Sequence, residues 1–120
     1  MKKTILMSVA ACLALIGQTA SAAEVEVTGQ VNLVRTHDAT SFAGVWAPPT
    51  FWFTLKGVPT ADTCAKFANG EVLFVGRDLQ MMAFVMSALG KGMNVTVYAG
   101  PTETVNGYCV ARYVTVSKPN

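Results

Sequence analysis

The first 22 residues decide how much chain is left to fold. Lys2 and Lys3 open it with positive charge, Ile5 to Ile16 form a short apolar run, and Ala20-Ser21-Ala22 is a small-x-small cleavage pattern. These are the parts of a secretory leader, and the apolar run is too short and wrongly flanked for a membrane span. Residues 1–22 are read as a signal peptide cleaved after about Ala22, and residues 23–120 as a single domain. The 98 residues that remain of 120 are enough for one hydrophobic core and too few for two. A rival reading takes Val9-Ala10-Ala11-Cys12 as a lipidation box with Cys12 as the anchor. Cys12 lies inside the apolar run, and Leu13-Ala14-Leu15-Ile16 continues the leader beyond it, which favours plain cleavage. The expected location is secreted or periplasmic.

Cleavage also changes the charge. Removing Lys2 and Lys3 takes the nine Lys and Arg to seven, which balance the seven Asp and Glu. The mature chain is formally neutral and shows no basic stripe, so nucleic acid is excluded as the expected partner. A neutral, apolar-rich surface favours association with a second copy or another protein. Cys12 leaves with the leader, and Cys64 and Cys109 remain as an even pair in an oxidising compartment. The default is a disulfide between them. The alternative, a metal site or reactive thiol, has one His and no Cys-x-x-Cys to work with.

Val25, Val27, Val31 and Leu33 fall on odd positions with polar residues between them, the period of a strand with one wet face. Gly29 interrupts it and predicts a bulge or bend. Residues 36–49 are rich in turn formers and read as a long loop. Residues 50–56 form a second strand, with Phe51, Phe53 and Leu55 on one face and Trp52, Thr54 and Lys56 on the other. Residues 64–67 and 71–75 flank Asn69-Gly70, either as a hairpin or as one bent strand. Asp78 caps a helix over residues 79–89, stopped by Gly90 and Gly92. Residues 93–99 alternate as a strand, 100–106 read as a turn, and 107–117 as a last long strand.

The helix is apolar nearly all round. Leu79, Met82, Ala83, Met86 and Leu89 make one face, and Met81, Val85 and Ala88 much of a second. Such a helix is buried on more than one side. What covers it is either a long loop of its own chain or a neighbouring subunit, and the nearby methionines suit an adaptable interface. The order strand, strand, strand, helix, strand, strand predicts an all-β domain with one helix: a five-stranded antiparallel OB-fold barrel. Closure removes the edges that a small all-β chain must protect. An open sheet packed on one helix is the second choice.

The helix followed by Leu89-Gly90-Lys91-Gly92-Met93-Asn94-Val95-Thr96-Val97-Tyr98, together with Arg35-Thr36-His37-Asp38 and Phe51-Trp52-Phe53-Thr54-Leu55-Lys56-Gly57, resembles the secreted B subunits of the subtilase-cytotoxin and pertussis-like toxins. The likeness covers about two-thirds of the mature chain. In that family a disulfide commonly joins the second and third strands. Here Phe53 or a neighbour stands where its first Cys would be, Cys109 lies in the last strand, and the family's further C-terminal disulfide is absent. The resemblance implies a homopentameric ring that binds glycans on a host cell surface. It also implies pore-facing helices, here through Met81, Phe84, Val85 and Ala88, turned toward a toxin A subunit.

Catalysis is not expected. The chain has one His and no Gly-x-Ser-x-Gly, and His37 and Asp38 are sequence neighbours, which on a strand point to opposite faces and make no acid–base pair unless the loop bends. The acidic residues show no calcium-loop spacing, and neither a metal nor another cofactor is expected. Carbohydrate binding needs an aromatic platform ringed by polar groups. Trp46, Trp52 and Tyr98 are the platform candidates, and Thr36, His37, Asp38, Thr40 and Ser41 supply polar groups in one loop. The leading expectation is a secreted, non-enzymatic, glycan-binding toxin subunit. The alternative is a periplasmic OB-fold module that binds a protein or inhibits an envelope enzyme.

Overall fold

The computed structural model describes residues 24–119; the expected leader, with Cys12, lies outside the described residues. Five strands form, β1 (Val25–Thr36), β2 (Phe51–Leu55), β3 (Leu73–Gly76), β4 (Asn94–Val105) and β5 (Tyr108–Ser117), with one helix, α1 (Leu79–Lys91), between β3 and β4. The strands close into a ring in the order β1-β2-β3-β5-β4. β1 makes closure possible by serving two neighbours. Val25 to Gln30 pair with β4, and Val31 to Thr36 pair with β2. Four ladders are antiparallel, but β3 and β5 run parallel at Phe74↔Cys109 and Val75↔Val110, which corrects the wholly antiparallel expectation. With α1 crossing between β3 and β4, β5 reaches the free side of β3 in the same direction.

The period-two reading holds on the inner face. Phe51, Phe53, Leu55, Phe74, Val95 and Val97 are fully buried in one cluster. Each contributes about 1.5–3 kcal/mol by leaving water. The expected bulge at Gly29 does not form there: Gly29 stays in register with Val95, and the ladder shifts between Val31 and Leu33 instead. Gly29 is a site of close approach, since a Cβ on it would lie 3.3 Å from both Leu55 and Val58.

Other boundaries also move. The helix runs through Gly90 to Lys91 and ends at Gly92, left-handed at φ 63, while Asp78 caps its start by accepting from Gln80 N at 2.8 Å. Residues 100–105 continue β4 rather than turning, and the reversal falls on Asn106-Gly107, both at positive φ. Around Asn69-Gly70 only the Lys66↔Val72 bridge forms, a minimal hairpin leading into β3.

Two tethers fasten the ring. Cys64 and Cys109 form a disulfide that ties the approach to β3 onto β5. Closing a 45-residue separation contributes about 3–4 kcal/mol in the loop-entropy account. The half-buried Glu71 carboxylate accepts hydrogen bonds from Asn32 Nδ2, Thr54 Oγ1, Gly57 N and Asn69 Nδ2 at 2.8–3.0 Å. It joins β1, β2 and the turn before β3 through a single side chain.

The helix is buried on one side only. Val85 and Ala88 have no exposed surface, and Met81 and Met82 pack partly against the same core. Val85 and Ala88 therefore face their own sheet and are not available to line a pore, a correction to the expected set. Of that set Phe84 is outward, and Leu79, Met86 and Leu89 are exposed with it. Among the described residues no helix is long and apolar enough to cross a membrane.

Candidate functional site

A second apolar cluster lies on the outside of the ring, over β2 and β3. Trp46, Trp52, Leu73, Val75 and Val110 are buried in it, with Phe67 and Tyr108 packed at its margin. Trp52 was expected on the face of its strand opposite Phe51 and Phe53. It does point outward, but it is only 3% exposed, because Phe67 packs on it at 4.7 Å and Arg35 lies above it. The strand alternation is right; what covers the outer face comes from other segments of the chain.

Above this cluster opens a cleft of about 360 Å³, a size suited to a small ligand. Trp52 and Leu73 from β2 and β3 belong to it, with Phe67 from the segment before β3. Arg35 comes from the end of β1, and His37, Phe42 and Trp46 from the β1–β2 connection. Asn106 comes from the β4–β5 turn and Tyr108 from the start of β5. The two loop systems meet where Trp46 approaches Tyr108, 6.2 Å between ring centroids. Arg35 places its guanidinium 4.8 Å from the Trp52 centroid and 5.6 Å from that of Phe67. Such contacts hold a cation against aromatic faces while its N–H groups stay available. Among the described residues no carboxylate lines the cleft.

The β1–β2 connection owes its shape to Asp38. Its Oδ1 accepts from Ser41 N at 2.6 Å, Thr40 N at 3.0 Å and Thr40 Oγ1 at 3.3 Å. The hydrogen bonds from Ser41 and then Thr40 hold the Asp38 carboxyl down at about 2. A short turn over Ser41–Gly44 follows, with Phe42, Ala43 and Gly44 all left-handed. For the two residues with a Cβ this conformation costs about 1–2 kcal/mol each. His37 stacks on Trp46 at 6.0 Å and meets Phe42 edge-on at 5.3 Å, and its buried Nδ1 makes no hydrogen bond among the described residues. The ring therefore acts as a packing plate. It forms a wall of both the cleft and a smaller cavity of about 220 Å³ lined by Thr36, Pro48, Pro49, Thr50, Leu79 and Met82.

The sequence candidates thus divide. His37, Trp46 and Trp52 come together in the cleft, and Thr36 lines the adjacent cavity. Asp38 and Ser41 shape the turn rather than line either space. Tyr98 lies elsewhere, on the outer wall of β4, stacked on Tyr113 at 4.9 Å; its hydrogen bond to the Glu24 carboxylate pushes its hydroxyl pKa up. Arg35, Phe42, Phe67, Asn106 and Tyr108 were not picked out. Arg35 directly before the His37 loop, and an Asn-Gly turn running into Tyr108, were the available signals. Among the described residues no group of three His, Cys, Asp or Glu is placed to hold a metal ion.

Chemically the cleft offers aromatic faces, one fixed cation and an amide. That set can stack on a ring bearing C–H groups and hydrogen-bond its polar rim. No family model, no curated protein and no solved structure matches this chain.

Proposed function

We propose that the protein is a secreted, non-enzymatic OB-fold subunit that binds a glycan in the cleft over β2 and β3. The strand order and the position of α1 support the OB-fold reading. The cleft occupies the face of strands 2 and 3 between the 1–2 and 4–5 loops, where that fold commonly takes oligosaccharides or oligonucleotides. A neutral mature chain without a basic stripe favours the former. The observation that carries the proposal is the Arg35–Trp52–Phe67 stack in a cleft that no carboxylate of the described residues lines. Sugar rings stack through their C–H faces, and Arg35 favours a glycan with an acidic substituent.

In this reading the chain assembles as a homo-oligomeric ring, as the resemblance to toxin B subunits implies, with a host-surface glycan and an A subunit as partners. The exposed Leu79, Phe84, Met86 and Leu89 of α1 support association through the helix. The test is binding of the mature protein to an array of neutral and acidic oligosaccharides, beside Arg35→Ala. Retention of acidic glycans by the wild type and their loss in the variant is the expected result. Retention of no glycan, with capture of one envelope protein instead, would favour the protein-binding module.

A further inference from the structure

Phe42 combines two unfavourable features that the fold itself does not require. The residue is 69% exposed, more than any other large apolar residue among the described residues. Its backbone is left-handed at φ 53, ψ 42, and Ala43 repeats this at φ 55, ψ 28. A chain reversal alone is better served by Gly or Asn at such a position, and by a polar side chain in solvent. Strained backbone and exposed apolar surface coincide where ligands are held.

The surroundings supply the reason. Phe42 lines the same cleft as Trp52 and Tyr108. The turn beneath it is clamped from one side by the Asp38 carboxylate on Thr40 N and Ser41 N. From the other side Val45 N donates to Phe42 O at 3.2 Å, and Ala47 N to Gly44 O at 3.1 Å. The backbone, not burial of the ring, fixes where Phe42 stands. We propose that Phe42 is the specificity-determining residue of the cleft, stacking on one C–H face of a bound pyranose. This rests on the glycan reading above. An aromatic ring on that face requires an unbroken apolar patch, so a sugar whose epimeric hydroxyl projects into the patch is rejected.

The experiment uses the mature protein on oligosaccharides printed as C4-epimer pairs, neutral and acidic, with lactose beside cellobiose. Affinities are then measured by tryptophan fluorescence with the free oligosaccharides retained. The wild type is expected to separate the members of its best pair by about tenfold, the scale of one aromatic contact. Phe42→Ala should weaken the better epimer about tenfold and shrink the separation to about threefold or less. Phe42→Asn, which suits the left-handed backbone, should lose binding in the same way while melting no lower than wild type. Phe42→Trp should keep both affinity and discrimination, and Lys56→Ala, exposed and outside the cleft, should change neither. Wild-type affinity and discrimination in Phe42→Asn, with binding lost in Arg35→Ala, would overturn the role of Phe42 and leave the cleft standing. A wild type that retains no glycan would overturn both.

Discussion

Arg35 and Trp52 sit directly opposite each other in the β1–β2 ladder, and the guanidinium of the first lies 4.8 Å from the ring centroid of the second. Cross-strand neighbours on one face are close enough to pack in this way. The pair turns a position that would be a wet outer face into the floor of a cleft. Trp52 gains cover, and Arg35 gains a fixed place from which its N–H groups can reach a ligand. A contact of this kind at a partly solvated site is worth about 0.5–1 kcal/mol, too little to matter for the fold. Its consequence is where the charge stands.

Asp38 controls the loop on the other side of the cleft, and acid should release it. Its carboxyl titrates at about 2, below the ordinary 3.8, because Ser41 and Thr40 donate to the ionised form. A depressed folded value means that this contribution is whole above 3.8 and lost as pH falls from there toward 2. The fluorescence of Trp46, packed on the loop through His37, is expected to change over that window. Asp38→Asn should remove the step and weaken glycan binding at neutral pH. An unchanged acid transition in Asp38→Asn would place it elsewhere.

Glu71 should give a second, separable acid sensitivity. Burial alone would raise its pKa, but hydrogen bonds from Asn32, Gly57, Thr54 and Asn69 outweigh burial and bring it below 4.5. Its contribution is therefore full above pH 4.5 and lost as pH falls through the lower folded value. In Glu71→Gln an amide N–H₂ replaces one acceptor oxygen and opposes a donor. That substitution should cost about 1–2 kcal/mol at pH 7, after allowance for partial exposure. Urea unfolding at pH 7 and pH 4 measures both effects. The variant is expected to lose less stability between those pH values than the wild type.

Phe84 tests the assembly. It is half exposed on α1 and borders two shallow cavities, one toward Tyr113 of β5 and one toward Met93 and Val116. If the helix face joins copies of the chain, a charge there must be desolvated without a partner. Light scattering of the mature wild type should then give an oligomer, and Phe84→Glu a monomer with an unchanged melting curve when diluted. A wild-type monomer at high concentration would remove the ring from the account.

Much of the fold was legible because alternation and turn chemistry are local. Phe51, Phe53 and Leu55 could only face one way, and Asp78 and Gly92 bracket the helix by well-understood capping. The parallel β3–β5 pair was not legible, since it depends on how the ring closes. Nor was the cleft, whose residues run from Arg35 to Tyr108 and meet only through closure. That Trp52 would be covered was not legible either, because its cover, Arg35 and Phe67, comes from other segments. The left-handed turn at Phe42 and Ala43 was hidden for a different reason: neither residue type prefers it, and the propensities that identify Gly and Asn turns do not apply.

The central claim is that the cleft over β2 and β3 is where a glycan binds. Both tryptophans of the chain, Trp46 and Trp52, belong to that cleft, so their indole N–H resonances report on it directly. The decisive measurement is a ¹⁵N-detected titration of the mature protein with the array oligosaccharide it retains best. The account predicts that both indole signals shift together with the backbone amides of His37, Phe42 and Tyr108, at one common affinity. Shifts confined to the Tyr98–Tyr113 wall or to α1, with both indoles unmoved, would contradict it.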